Sequence, residues 1–181
     1  MRLTSLDKVK EFLGLTDTSQ DSLLGTLLDG VSDAIETDCR RAIALGTYSE
    51  KLDILEDYTE DFMVANYPVR SVVALTDNGT LMVDVTNYYW ETQGYFHRYP
   101  EDYYWTTGLR KVEITYTAGY ATIPDDIQLL AQKLVAQVYN SLGTGGFESE
   151  RIGDYSYRVL TDMILSDAFL NSVLKRYRKV W

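Results

Sequence analysis

Residues able to do chemistry are few in this chain. It has one histidine, His97, and one cysteine, Cys39, among 181 residues, so a nucleophile with its base would have to draw on hydroxyls and carboxylates. His97 lies in YYWETQGYFHRYPEDYYW, where a lone histidine among aromatic rings reads as a packed or exposed side chain rather than a base. A zinc site would need carboxylates at ligand spacings that the sequence does not offer. The run DILEDYTED carries Asp53, Glu56, Asp57, Glu60 and Asp61, but without the DxDxDG loop and following Glu of an EF-hand it reads as a solvated strand and turn. Paired carboxylates for glycoside hydrolysis stay open as one alternative, because their ~5–10 Å separation is a property of the fold and not of spacing.

Phosphate chemistry has one place to occur. In TYTAGYATIPDDIQLLAQKLVAQVY, Thr115 to Tyr139, a β-pattern passes through Gly119 into a helix, and a helix N-terminus after a glycine turn is an anion site in many proteins. Here Asp125 and Asp126 follow Pro124, so two carboxylates occupy the positive end of the dipole and disfavour an anion there. The second glycine cluster, Gly143 to Gly146, follows a helix and lacks GKS or GKT, so it is not a Walker loop. No catalytic, cofactor-binding or metal-binding residues are expected.

The elements that must position these residues fall into an α+β pattern, helical at 1–45 and 121–181 with a β-rich antiparallel insertion at 46–120. A short helix is expected from Ser5 to Leu13, and a longer one after Thr16 to Gln20 with Leu23, Leu24, Leu27, Leu28, Val31, Ala34 and Ile35 at helical spacing. Gly25 and Gly30 inside that helix each cost about 1 kcal/mol against alanine, which points to close packing by a neighbouring helix or by another subunit. In the insertion, FMVANYPV, SVVALTD, LMVDV and KVEITYT read as strands of an antiparallel sheet, with Asn78-Gly79 turning the second into the third. Helical period returns with Ile127, Leu130, Ala131, Leu134, Val135 and Val138, and a last helix is expected at about Ser166 to Lys179. All of this fits one domain.

Composition bounds the partners. A formal charge of −10 and a pI near 4.5 oppose a general nucleic-acid or anionic-membrane binder. A single cysteine makes no internal disulfide, and no charged segment with an apolar run opens the chain, so synthesis in a reducing cytoplasm is expected. No apolar run approaches the ~20 residues of a membrane span. Stretch 86–109 is rich in tyrosine and tryptophan with Arg98 as its one arginine, which suits a sheet core plus a protein or sugar face better than a base-stacking platform. Tyr103, Tyr104 and Trp105 are its candidate partner-facing residues; a sugar-binding or adhesion module is the rival reading.

Four blocks, LGLTDTSQDSLL with DAIETDCRR, NYPVRSVVAL, VEITYTAGYATIPDDIQLLAQKLVAQVY and ESERIGDYSYRV, taken in order, resemble the bacteriophage head-tail connector, or adaptor, proteins that form a ring beneath the portal. They spread over most of the chain; residues 86 to 109 depart from the pattern. The resemblance implies a structural protein of the virion's head-tail interface, a helical bundle with a β-rich insertion, assembled as a ring of about twelve copies through heterologous contacts. Its implied partners are the portal and a tail or stopper protein, with DNA passing through unbound, no enzyme activity, no cofactor and no membrane. Within that frame, Asp53, Glu56, Asp57, Glu60 and Asp61 are candidates to line the channel and repel DNA. Gly25, Gly30 and Arg151, the last in the loop GTGGFESERIGD, are candidates for the subunit interface. The C-terminal SDAFLNSVLKRYRKVW offers Lys175, Arg176, Tyr177, Arg178, Lys179 and Trp181 as a portal-binding end, or as a basic complement to the helix dipole.

Overall fold

A computed structural model of the chain describes residues 1–100, 102–143 and 168–179. The chain divides into two compact units, one made of 1–41 with 122–181 and one of 42–121. In the first lie α1 (Leu6–Leu13), α2 (Asp21–Cys39), α3 (Asp125–Gly143) and α4 (Ala168–Tyr177). Helix α1 starts where Ser5 Oγ accepts from the Lys8 amide at 3.3 Å and stops at Gly14, left-handed at φ 70°. In α2 the spacing of Leu24, Leu27, Leu28, Val31 and Ile35 puts all five on a buried stripe. The stripe of α3, Ile127, Leu130, Ala131, Leu134, Val135 and Val138, is buried as well. These two helices pack on each other, and α4 packs on both through the buried Leu170, Val173 and Leu174.

The second unit is antiparallel and contains two sheets. Strands β1 (Gly46–Ile54), β3 (Val69–Asp77), β4 (Thr80–Leu81) and β7 (Gly108–Ala118) form one in the order β1-β7-β3-β4; β2 (Asp61–Met63), β5 (Tyr88–Trp90) and β6 (Tyr95–Arg98) form the other in the order β2-β6-β5. Strand β7 shows why: Val112, Ile114, Tyr116 and Ala118 are buried at period two, while Glu113 points out. Phe62 stacks on Phe96 at 5.1 Å, Trp105 meets Phe62 edge-on at 4.8 Å, and both sheets feed one cluster with Tyr88, Val64 and Leu75. Inside it the Tyr116 hydroxyl donates to Glu50, whose carboxylate also accepts from the Ala65 amide. Burial and Glu50 push the Tyr116 phenol well above its ordinary value.

Two expectations change. The single expected sheet is two, because only Phe62 and Met63 of FMVANYPV, with Asp61 before them, pair with β6, and the chain then leaves that ladder before Val69 joins β3. Of LMVDV only Leu81 is in a strand, the two-residue β4: Asn78 at φ 47° and Gly79 at φ 80° make the hairpin turn, but the Val83 amide then donates to the Asn87 side chain instead of continuing the ladder. Pro124 stands just before α3, its carbonyl accepting from Gln128 at 3.0 Å.

Candidate functional site

The acidic run folds as the end of β1, the connection to β2 and the first residue of β2. All five carboxylates are exposed. The Asp53 carboxylate accepts from the Arg110 amide at 2.7 Å, and Asp57 accepts from the Thr107 hydroxyl at 2.8 Å. Asp53, Glu56, Glu60 and Asp61 line an open cleft of about 600 Å³ with Tyr58 and Leu55. A general acid needs a setting that excludes water, and this cleft does not supply one. Its apolar edge continues into the aromatic segment: Tyr104 meets Tyr58 edge-on at 5.2 Å, and Tyr103 beside it in sequence is exposed with Arg98 over its ring at 5.9 Å. Exposed Tyr58 and Leu55 are surface residues that the sequence reading missed; nothing in their spacing sets them apart from core residues.

Trp105 corrects the reading of the aromatic segment. Expected beside Tyr103 and Tyr104 on a partner face, it is 1% exposed and its indole N–H donates to the Glu60 carbonyl at 3.0 Å. A ring this large stabilises most when buried, and its one polar atom has found a backbone acceptor. The glycines of α2 also separate. A Cβ on Gly25 would lie 3.1 Å from the guanidinium of Arg2, which donates to the Gly25 carbonyl and pairs with Asp29 at 2.7 Å. Within the chain, close packing at Gly25 therefore comes from its own N-terminus and not from another helix. Gly30 is exposed with nothing within 4 Å. Arg151 lies outside the described residues, as does Trp181.

The basic end is held by the chain itself to a greater degree than its sequence suggests. Arg178 donates two hydrogen bonds to the Asp38 carboxylate, each 2.8 Å, and Arg176 reaches Asp126 at 3.1 Å. The Tyr177 hydroxyl donates to the same Asp126 at 2.8 Å, the Tyr177 carbonyl accepts from Arg41 at 2.7 Å, and the Lys179 amide donates to the Cys39 carbonyl at 2.9 Å. Lys175 is exposed and has no ion pair among the described residues. Asp126, read as a guard against anions at the start of α3, is thus also the anchor of α4. Long-range pairs of this kind leave no mark in spacing.

Among the described residues, no group of three or more His, Cys, Asp or Glu side chains is placed to hold a metal ion, and no helix is long and apolar enough to cross a membrane. Cys39 is buried, which pushes its thiol up to about 12 and leaves it inert as a nucleophile.

With surfaces rather than a pocket on view, the comparisons with known proteins become informative. The family model described as head completion protein matches residues 2–142. The chain belongs to the head completion protein family. It is a structural component of a phage-type particle. No curated protein matches it. Among solved structures, the fold is similar to a chain in the neck of an empty gene transfer agent particle computed with C6 symmetry, at 18% identity and TM-score 0.65, covering 99% of this chain and 91% of that one. A chain of the virion of the native particle matches at 19% identity and TM-score 0.64, again over 99% and 91%. The neck of the native particle computed with C12 symmetry gives 18% identity and TM-score 0.54 over 100% of this chain and 95% of that one. At such identities the likeness concerns the fold.

Proposed function

We propose that this head completion protein is a head-tail connector: a ring of about twelve copies beneath the portal that extends the DNA channel and presents a surface to the tail or stopper protein. It works by complementarity and catalyses no reaction. The observation that carries the reading is the family match over 2–142 together with a fold likeness, over nearly the whole length of both chains, to chains from particles whose necks were computed with six-fold and twelve-fold symmetry.

In this reading the helices form a bundle that α4 closes, and the two units act as one connector domain. The acidic connection of Asp53, Glu56, Asp57, Glu60 and Asp61 faces the lumen or its rim and repels phosphates within about 8 Å, the Debye length at physiological salt. Tyr103 and Tyr104, with Tyr58, face the tail or stopper. Gly30 leaves the exposed side of α2 low enough for a neighbouring subunit, with Arg151 pairing across the same interface. Of the basic end, Lys175 has the strongest claim to meet portal carboxylates, and Arg176, Tyr177, Arg178 and Lys179 hold it in position for Trp181 to follow. DNA passes without specific binding. Mixing the purified chain with the portal of its own particle and imaging by negative stain tests this: an added ring on the portal is expected, and bare portals at micromolar chain concentration overturn the proposal.

A further inference from the structure

We propose that the outward face of the three-stranded sheet is a docking surface for an arginine-bearing segment of a partner protein. The sheet's inward face, Phe62, Phe96, Trp90 and Tyr88, belongs to the core. Period two therefore turns the residues between them outward. Register then sets two rows across the sheet, Asp61, His97 and Tyr89 in one and Met63, Tyr95 and Glu91 in the next. The rings make a ladder: Tyr89 stacks on His97 at 4.6 Å and 18°, and Tyr95 lies 6.2 Å from His97 at 24°. A carboxylate stands at either end of the imidazole, Asp61 at 3.9 Å from Nδ1 and Glu91 at 3.4 Å from Nε2. That Nε2 is shielded from water yet has no hydrogen-bond partner among the described residues, and the Glu91 side chain beside it is 47% exposed. Tyr89 and Tyr95 are 46% and 40% exposed.

Charge selects the occupant. A guanidinium lies flat on a tyrosine face and meets a carboxylate with two parallel N–H bonds, and this surface offers both within one side chain's reach. An ammonium matches the charge but not the plane. A nucleic acid is repelled by the two carboxylates and by a net charge of −10. The surface shares Asp61 with the acidic run but differs from the rest of the β1–β2 connection, where carboxylates accompany Leu55 and Tyr58 instead of a stacked ladder. The proposal depends on the connector reading for one point, that the partner is a protein of the same particle.

The test is calorimetric titration of the full chain with the capped peptide Gly-Arg-Gly-Arg-Gly and its lysine counterpart, repeated on three double variants whose melting curves are recorded alongside. Asp61→Asn with Glu91→Gln removes charge without changing shape, Tyr89→Ser with Tyr95→Ser removes the rings, and Asp53→Asn with Glu56→Gln removes equal charge elsewhere. The arginine peptide is expected to bind several-fold more tightly than the lysine one, with a loss of about tenfold in each of the first two variants and less than about twofold in the third. Equal losses from the first and third variants would reduce the effect to diffuse charge and overturn the proposal. So would indifference to the tyrosines, or binding of chitotriose in place of the arginine peptide, which would make the face a sugar site. Ring formation, followed separately by mass photometry, tests the connector reading; its failure leaves the peptide result interpretable.

Discussion

Arg178→Ala is the substitution that most directly separates a structural basic end from a free one. In the folded chain the guanidinium gives two 2.8 Å bonds to Asp38, with the two side chains 31% and 30% exposed. Asp38 lies in the last turn of α2, one residue before Cys39, whose carbonyl takes the Lys179 amide. A charge-assisted pair is worth about 1.5–3 kcal/mol per bond when sheltered, whereas exposed pairs contribute about 0–1 kcal/mol. A pair about one-third exposed falls between, and about 1–2 kcal/mol is expected for the loss of both arms. For a chain of this size that lowers Tm by about 2–8 °C. The assay is urea and thermal denaturation followed by circular dichroism at 222 nm, run as a cycle with Asp38→Ala and the double variant. A coupling of about 1 kcal/mol or more is expected. Variants within about 0.3 kcal/mol of the parent, with zero coupling, would refute the claim that the chain holds its own basic end.

Trp105→Ala should cost the β-rich unit about 3–5 kcal/mol, since it empties a core ring, while Tyr103→Ala should leave melting unchanged; similar melting curves for the two would refute the assignment. Gly119→Ala should prevent normal folding, because φ is +101° and a Cβ would collide with the Ala44 carbonyl, whereas Gly30→Ala meets nothing and should add up to about 1 kcal/mol. Soluble yields and melting temperatures of the two variants decide it. Cys39 gives a pH prediction: its buried thiol titrates at about 12 against an ordinary 9.0, so the folded chain holds that proton more tightly than the unfolded one. The contribution is complete below pH 9 and is lost as pH rises from 9 to 12. Cys39→Ser should flatten that part of the stability curve, and an unchanged alkaline slope would contradict it.

The sequence was most legible where one period repeats. The stripes of α2 and α3 and the alternation of β7 identify their own buried faces, and Asn78-Gly79 marks its hairpin, because local sterics and water decide these features. What it could not yield are features that need a second element. Gly25 signals close packing, but only the fold shows that Arg2 supplies it. Trp105 is indistinguishable from its neighbours Tyr103 and Tyr104 until Phe62 and the Glu60 carbonyl surround it. The basic end looks free until Asp38 and Asp126 arrive from α2 and α3. The aromatic segment 86–109 is legible as sheet and core by composition, but its division into an inward and an outward face follows from the register of β5 on β6. Resemblance over ordered blocks carried the function, since connector surfaces have no short signature of their own.

Assembly of particles from which this chain alone is withheld tests the connector assignment most directly, with electron microscopy and packaged DNA measured on the products. The assignment predicts heads that fill with DNA but carry no tails and lose their DNA on storage, with both defects repaired when the purified chain is added back. Tailed, DNA-retaining particles formed at normal yield without it would contradict the assignment.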